Sequence, residues 1–503
     1  MTSYALGIDC GNTAVKAALF DENGVEIATV ANNYPTHIPK PDYTEADLDE
    51  CWGLCADAIR RVMDKTKVDR NHVVAVGCSG HGNGLYLLDT NRAPLLGIKS
   101  LDSRAQSDVE RLQKSTLFST INRKNHQGVW SSQTALLLHW LKRHQRETYE
   151  QIGEVLFCKD YLNFKLTGEC ATEWGDITAS GLFDFESDSV SDELLGAYDI
   201  ADIKSKLPNI LESNQVIGGI TSEVSELTGL NIGTPVIAGL FDVVACAYGS
   251  EAYHLGETSV VAGTWNINQV VTDTLPPQEI FMGCKLGKDR YLAIEASTCS
   301  ASNLEWLVQR FFTEHVDNSL SGESVFERFN RQLEDVELND TLPLFHPYLY
   351  GSTGQQSPSA NLFGLKGWHQ DIHIVYAFYE GIVFAHLEHI NRLRIAGYQM
   401  DSVAISGGAS RSDYWCQLFA DILNAEIKVS ASDEVGAKGV AMLALSTVSE
   451  LLARDLPQTN RPQMNKLKTK ASQRVFRPSD ERHEFYVARF KKYCFLKELL
   501  ADV

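Results

Sequence analysis

The stretch GIDCGNTAVKAALFD, residues 7–21, decides how the chain is read. A short apolar run, Ala5 to Ile8, meets an acid, Asp9. A turn of small and polar residues follows, with Gly11, Asn12 and Thr13, and then a second strand-like run from Val15 to Phe20. Such a pattern predicts two β-strands joined by a tight turn. Gly11 lets backbone N–H groups face outward into a concavity that suits phosphate oxygens. Asn12 and Thr13 add side-chain donors. Asp9, at the strand end, is placed to bind Mg²⁺, usually through water, because that ion dehydrates reluctantly. Lys16 either adds charge or points to solvent. The plain alternative is an ordinary hairpin with an edge acid.

Working outward, residues 4–35 read as strand, turn, strand, turn, strand, with Asp21-Glu22-Asn23-Gly24 as the clearest turn. Thr44-Glu45-Ala46-Asp47 reads as a capping box. It opens a helix through about Asp64, with Leu48, Cys51, Trp52, Cys55, Ile59 and Val62 on one stripe. HVVAVGCS, residues 72–79, is a buried strand ending in glycines. This order predicts a mixed sheet with helices on its faces. Residues 130–168 read as mostly helical. GTPVIAGLFDVVACAYG, residues 233–249, is a strand, an acid and a small-residue helix. TSVVAGTWNINQVV, residues 258–271, gives strand, Gly-Thr turn and strand, an echo of the opening hairpin. SVAISGGASRSDYWCQLFADILN, residues 402–424, gives strand, glycine turn and helix. The chain reads as two related halves, 1–248 and 249–503.

Composition agrees with a folded, multidomain chain. The 503 residues are 44% hydrophobic and 22% charged, enough for two to four domains at roughly 100–200 residues each. The net charge of −20 argues against a nucleic-acid partner, which calls for basic stripes. No apolar run reaches the roughly 18 residues of a membrane span, and the first residues lack the features of a secretion signal. The expected compartment is the cytoplasm. Eleven cysteines are scattered, and only Cys51 and Cys55 are close neighbours. Their helical setting predicts buried thiols rather than a metal site, in keeping with a reducing compartment.

Two further glycine turns join the first. Gly263-Thr264 lies between two strand-like runs, as a second phosphate cradle would. Gly407-Gly408-Ala409 follows a strand and precedes a helix. There a flat base or a ribose can lie against the backbone, with Ser412 or Asp413 supplying a hydrogen bond, although plain tight turns use the same residues. Other nucleotide motifs fail. Residues 283–289, GCKLGKD, are too short for a P-loop, and Leu85 stands where a dinucleotide fingerprint wants its third glycine. A phosphoryl acceptor needs a base near its hydroxyl. Asp242, after the apolar VIAGLF, is the candidate, its alternative role being an N-cap for the helix that follows. Polar groups for a polyol follow the strand at 72–79: His81, Asn83 and Asp102, with Gly82 in the glycine-rich SGHGNG where a ligand can approach the backbone. His386 and His389 lack a third metal ligand.

In order and spacing, GIDCGNTAVKAALFD, CKDYLNFKLTGECATEWGD, TPVIAGLFDVVACAYG, YEGIVFAH, ISGGASRSDYWCQLFADILN and DEVGAKGVAMLA resemble the motifs of the FGGY carbohydrate kinases, over essentially the whole chain. The resemblance implies an α/β fold of two ribonuclease-H-like domains, akin to actin and the heat-shock ATPases. It also implies a central cleft that holds ATP, Mg²⁺ and a sugar. Within the family, GLYLLDTNRAPL, SLDSRA, AGLFDVV, AGTWNIN, EASTCSASNLEW and YEGIVFAHLEHINRLR are most similar to L-xylulose kinases.

By this resemblance the catalytic base falls on Asp242. The first phosphate loop falls on Gly11, Asn12 and Thr13, with Lys16 nearby and Asp9 beside the magnesium. The second falls on Gly263 and Thr264. The adenosine loop falls on Gly407, Gly408 and Ala409, with Ser412 where some members have asparagine. Sugar contacts fall on Asn83 and Asp102, next to Gly82. Several positions depart from the family pattern, Leu137 among them, where the family signature has a lysine. D-xylulose kinases typically carry Met-His where this chain has Gly82-Asn83, and a tryptophan where it has Ser100. Glycerol kinases carry Arg-Glu near Asn83-Gly84. The implied activity is ATP-dependent phosphorylation of a terminal hydroxyl on a ketopentose such as L-xylulose, with another pentulose or a C4 polyol such as erythritol left open. Rival readings are a sugar-independent ATPase of the actin or heat-shock type and a non-catalytic sugar sensor. The expected partner is a small sugar, with neither nucleic acid nor membrane. Relatives are often homodimers.

Overall fold

Two β-hairpins organise the chain, and each lends its first strand to a parallel partner that comes later in sequence. A computed structural model describes residues 2–312, 324–351, 359–454 and 473–499. Tyr4–Cys10 pairs antiparallel with Ala14–Asp21 and parallel with Val73–Gly80. Thr258–Ala262 pairs antiparallel with Asn266–Thr272 and parallel with Ser402–Ser406. The echo between the two hairpins is therefore a repeat of topology. The elements collect into two compact units. The first takes Met1–Glu251, Val271–Ala293 and Glu434–Ala471; the second takes Ala252–Val270, Ile294–Asp433 and Ser472–Val503.

In the first unit the main sheet runs Val216–Gly219, Pro235–Ile237, Val73–Gly80, Tyr4–Cys10, Ala14–Asp21, Glu26–Asn33, and Leu240–Phe241 also pairs with Val73–Gly80. Leu6, Ile8, Val15, Ala17 and Leu19 pack with Cys51, Cys55, Ile59 and Val62 of the helix Leu48–Thr66 in one buried cluster. This is the stripe expected from the sequence, with Trp52 packed at its margin. Each large aliphatic side chain so buried contributes about 1.5–3 kcal/mol. Between Leu6 and Ile8 stands Gly7, the register partner of Gly77. A Cβ on Gly7 would sit 2.0 Å from the carbonyl oxygen of Ala437, and one on Gly77 2.7 Å from that of Val440. The paired glycines let the helix Val435–Arg454 lie with its backbone against the strands.

One expectation is corrected here, and another, that residues 130–168 are mostly helical, holds with one strand added. Thr44 does not open the first helix. Glu45–Ala46 is a short strand paired with Ile98 and Gly97, and Asp47 is the N-cap, its carboxylate accepting the Glu50 N–H at 2.9 Å. Strand pairing satisfies the backbone that a capping box would otherwise serve. Within 130–168 the helices Thr134–His144, Arg146–Gln151 and Cys158–Thr167 are interrupted by a strand, Ile152–Leu156. That strand completes a second, antiparallel sheet with Glu45–Ala46, Pro94–Ile98 and Leu85–Asp89.

The second unit's sheet places Asn266–Thr272, Thr258–Ala262, Ser402–Ser406, Glu426–Val429 and Arg474–Phe476 side by side. The helix Asp371–Ile395 carries Glu380, whose buried carboxylate accepts from Arg489 Nε at 2.5 Å and Nη2 at 2.7 Å. His386 and His389 are engaged in hydrogen bonds. His386 Nδ1 lies 2.9 Å from Asn268 Oδ1, and His389 bridges Glu295 at 2.8 Å and Ser297 at 2.9 Å. All eleven cysteines are free thiols. Among the described residues no helix is long and apolar enough to cross a membrane.

Candidate active site

The first unit's strand register brings its two key acids together. Asp9 lies level with Ser79, and Cys10 with Gly80. On the other side of the same strand, Leu240 lies level with Ser79 and Phe241 with Gly80. Asp9 and Asp242 thus emerge at the C-terminal ends of these strands, on either side of Val73–Gly80. The His81 N–H donates to the Cys10 carbonyl at 2.9 Å and carries the pairing one residue further.

Asp242 is the first residue of the helix Asp242–Gly249, and Phe241 holds the N-cap position. The carboxyl of Asp242 is therefore not used as the cap. Burial and then the charge of Asp9 raise its pKa to about 7, against the opposing pull of His81 and the Val243 N–H. Burial also raises Asp9, although Lys16 works the other way. His81 is almost fully buried, with Nε2 2.9 Å from the Tyr86 hydroxyl. Burial depresses its pKa, but Cys158 and Asp242 outweigh that and raise it.

One oxygen of Asp9, Oδ1, is buried and has no hydrogen-bond partner. The helix Val435–Arg454 comes so close that a Cβ on Gly436 would stand 2.9 Å from Oδ2. An unsatisfied buried carboxylate oxygen is a costly arrangement by itself. It fits a site for a hydrated divalent cation, which needs one or two carboxylates plus phosphate oxygens rather than an all-protein cage. Among the described residues no group of three or more His, Cys, Asp or Glu could hold a metal ion unaided.

The opening turn is closed by the Gly11 N–H donating to Ala14 O at 2.9 Å. Thr13 is exposed. A Cβ on Gly11 would meet only Ala14 O, at 3.8 Å, so what this glycine leaves is open approach to the turn. The Asn12 side chain is exchanged with Ser100, donating at 2.9 Å and accepting at 3.2 Å. Lys16 forms an ion pair with Glu434 at 2.8 Å.

In the second unit, Gly263 and Thr264 make the matching turn. Gly263 O accepts from the Ala301 N–H at 3.0 Å and Thr264 O from the Ser302 hydroxyl at 3.2 Å. Gly407 has φ +86°, and a Cβ there would stand 2.6 Å from Ala262 O and 3.0 Å from Gly263 N. Its missing side chain joins the 407–409 loop to the hairpin turn. Gly408 begins a short 3₁₀ turn through Arg411, and Ala409 is buried. Ser412 caps the helix Asp413–Leu423, accepting the Trp415 N–H at 3.0 Å and donating to Asn330 at 2.7 Å. Asp413 pairs with Arg474.

Of the residues expected at the sugar, Gly82 and Asn83 follow the end of Val73–Gly80 and Asp102 follows Pro94–Ile98 of the second sheet, and the side chains of Asn83 and Asp102 are engaged. Asn83, at φ 59°, donates to Ala179 O and accepts the Thr134 N–H, both at 3.2 Å. Asp102 accepts from Thr44 N at 2.6 Å and, through both oxygens, from Arg104 at 2.9 Å. At Gly82 a Cβ would stand 2.3 Å from the Phe241 ring. The missing side chain is the space that the ring fills beside Asp242.

Sequence reasoning passed over Glu173 and Lys159. Glu173 accepts the Phe241 N–H at 3.2 Å, so it holds the Leu240–Phe241 peptide, one link before Asp242. It also accepts from Gly175, Asp176 and Ser213. Lys159 pairs with Asp160 at 2.6 Å and Asp176 at 2.9 Å. The signal was present: these charges lie within CKDYLNFKLTGECATEWGD, in segments otherwise patterned for burial.

Models of the FGGY family of carbohydrate kinases match residues 4–249 with the N-terminal domain and 258–448 with the C-terminal domain. A probable L-xylulose kinase of Pasteurella multocida (strain Pm70) is 33% identical over 452 residues, 89% of this chain and 91% of that one. The L-xylulose/3-keto-L-gulonate kinase of Escherichia coli (strain K12) is 31% identical, over 99% of this chain and 97% of that one. The crystal structure of gluconate kinase from Lactobacillus acidophilus shares the fold, with a TM-score of 0.85 at 23% identity, covering 100% of this chain and 99% of that one.

Proposed function

Because the chain belongs to the FGGY family of carbohydrate kinases, enzymes that phosphorylate sugars with ATP, we propose that its acceptor is a small ketopentose, L-xylulose foremost. The names of its relatives support that choice. In this reading Asp242 takes the proton from a terminal hydroxyl of the sugar. The hydroxyl oxygen forms a bond to the γ-phosphorus, the bond from that phosphorus to the β–γ bridging oxygen breaks, and ADP leaves with the electron pair. The single observation that carries the assignment is the Asp242 carboxyl at its helix start, across Val73–Gly80 from Asp9, where burial raises its pKa to about 7. Its pKa lies close to operating pH, where a general base is most effective.

Asp9, with its unsatisfied Oδ1, is the proposed anchor for Mg²⁺ through water. Bound there with the nucleotide, the ion would supply neutralisation of phosphate charge. Asn12 and Thr13 would present backbone donors to the phosphates, with Gly11 leaving the turn open to approach, and Thr264 would do the same beside Gly263. Gly407, Gly408 and Ala409 would take the adenosine. Gly82, Asn83 and Asp102 would shape the sugar's surroundings, chiefly through backbone and position, since the side chains of Asn83 and Asp102 are already bonded. An enzyme that consumes ATP on a sugar belongs in the cytoplasm, the compartment proposed here.

The test is ADP release with Mg²⁺ and ATP across pentuloses, tetritols, glycerol and hexuloses, with Asp242→Asn alongside. L-xylulose should give the highest kcat/KM, and the variant should lose about 10²–10⁴-fold. ATP turnover indifferent to every sugar would overturn the reading in favour of a sugar-independent ATPase.

A further inference from the structure

Lys99 is completely buried, and its four hydrogen-bond partners include no carboxylate. Its ammonium, with three N–H groups to share, lies within hydrogen-bonding distance of four acceptors: Asn12 O at 2.7 Å, Pro35 O at 2.8 Å, Tyr34 O at 3.1 Å and the Thr36 hydroxyl at 3.2 Å. It also stands 3.6 Å from the centre of the Tyr34 ring. A buried charge is tolerated only when hydrogen bonds satisfy it, and here carbonyl dipoles and an aromatic face do so. Burial lowers the Lys99 pKa, and its uncharged partners leave the ammonium's charge without a counter-charge behind the opening turn.

The direction of that charge follows from peptide geometry. In a trans peptide the C=O and the next residue's N–H point opposite ways. The Asn12 carbonyl points at Lys99, so the Thr13 N–H points away from it, at an exposed residue. An ammonium on the carbonyl polarises the peptide and makes its N–H a stronger donor. Ser100, the next residue, holds the Asn12 side chain by the reciprocal pair of hydrogen bonds. Lys99 O in turn accepts the Asp102 N–H at 3.2 Å. One short segment thus fastens the turn to the Asp102 loop within the first unit.

We propose that Lys99 and Ser100 are positioning residues for the nucleotide's phosphates: they clamp the Asn12–Thr13 peptide so that the Thr13 N–H faces a phosphate oxygen. The inference rests on the reading of Gly11–Thr13 as the phosphate turn.

The experiment compares ATP, ADP and adenosine binding by calorimetry, together with steady-state KM values, in the full chain. Lys99→Met should weaken ATP and ADP about tenfold and Ser100→Ala about threefold, with adenosine affinity held within about twofold. A general loosening of the fold would weaken adenosine in parallel, and that outcome would overturn the proposal. So would unchanged ATP and ADP affinity in folded Lys99→Met. If Lys99→Met does not fold, Ser100→Ala decides alone, since it removes one hydroxyl from a partly exposed site, and unchanged ATP affinity in it rejects the clamp. Gly11→Val separates the two ideas. If Gly11→Val also leaves ATP and ADP untouched, the phosphate turn itself is misassigned. If it weakens them while both clamp variants do not, only the clamp falls.

Discussion

Asp9 and Asp242 flank the strand Val73–Gly80 at its C-terminal end, and burial, then the negative charge of Asp9, raises the proton affinity of Asp242. A base must be unprotonated to act, so kcat/KM should rise with pH up to about 7 and level off above it. Asp9→Asn removes one of the raising influences and should move the acid limb of the residual activity downward. His81→Gln removes an opposing one and should move it upward. A pH profile for each variant checks both signs. A limb at ordinary carboxylate pH in the parent enzyme would exclude Asp242 as a base tuned by its surroundings.

The same shift predicts a stability change of opposite sense. The folded chain keeps the Asp242 proton up to about 7, while the unfolded chain loses it near 3.8. Stability therefore falls as pH climbs through that window and stays lower above it. Asp242→Asn carries no such term. It should melt above the parent by about 2–4 °C at pH 8, and the gap should close toward pH 4. Melting curves at both pH values measure this, and equal melting temperatures at pH 8 would contradict the assigned shift.

At Gly82, an added methyl has nowhere to go unless the Phe241 ring moves, since the two would be 2.3 Å apart. Gly82→Ala should cost about 1–3 kcal/mol by overpacking and should raise the KM for the sugar more than that for ATP. Phe241→Leu placed in the same chain should recover part of both losses. Denaturation curves and the two KM values, compared through the double-mutant cycle, show whether the sites are coupled.

Gly407 meets both a left-handed φ and a neighbouring backbone. Gly407→Ala should cost about 1–3 kcal/mol in strain and should weaken ATP binding with the sugar KM unchanged. Nucleotide titration of the variant is the measurement, and wild-type ATP affinity would mean that this loop does not carry the adenosine.

Much of the architecture was legible because it is written locally. The alternation that predicts a strand, the Gly-Thr turns and the helical stripe from Leu48 to Val62 each depend on residues a few positions apart. The acid after VIAGLF was legible for the same reason: an apolar strand that ends in an aspartate is a local pattern. The helix start misled because Thr44-Glu45-Ala46-Asp47 fits a cap at either end, and pairing with Ile98 and Gly97 decided for Asp47.

The sequence by itself determined the repeated hairpin, the glycine turns and the acids that end their strands, since turn chemistry and side-chain period act between near neighbours. Only the tertiary structure decided which distant groups serve them. Lys99 reaches the turn across 87 positions and Glu434 meets Lys16 across 418. The Asn83 amide, polar and suited to a sugar on paper, is turned inward to Ala179 and Thr134. No periodicity encodes such pairings. They arise when folding buries polar groups that must find partners, and only the assembled chain shows which partners lie within reach.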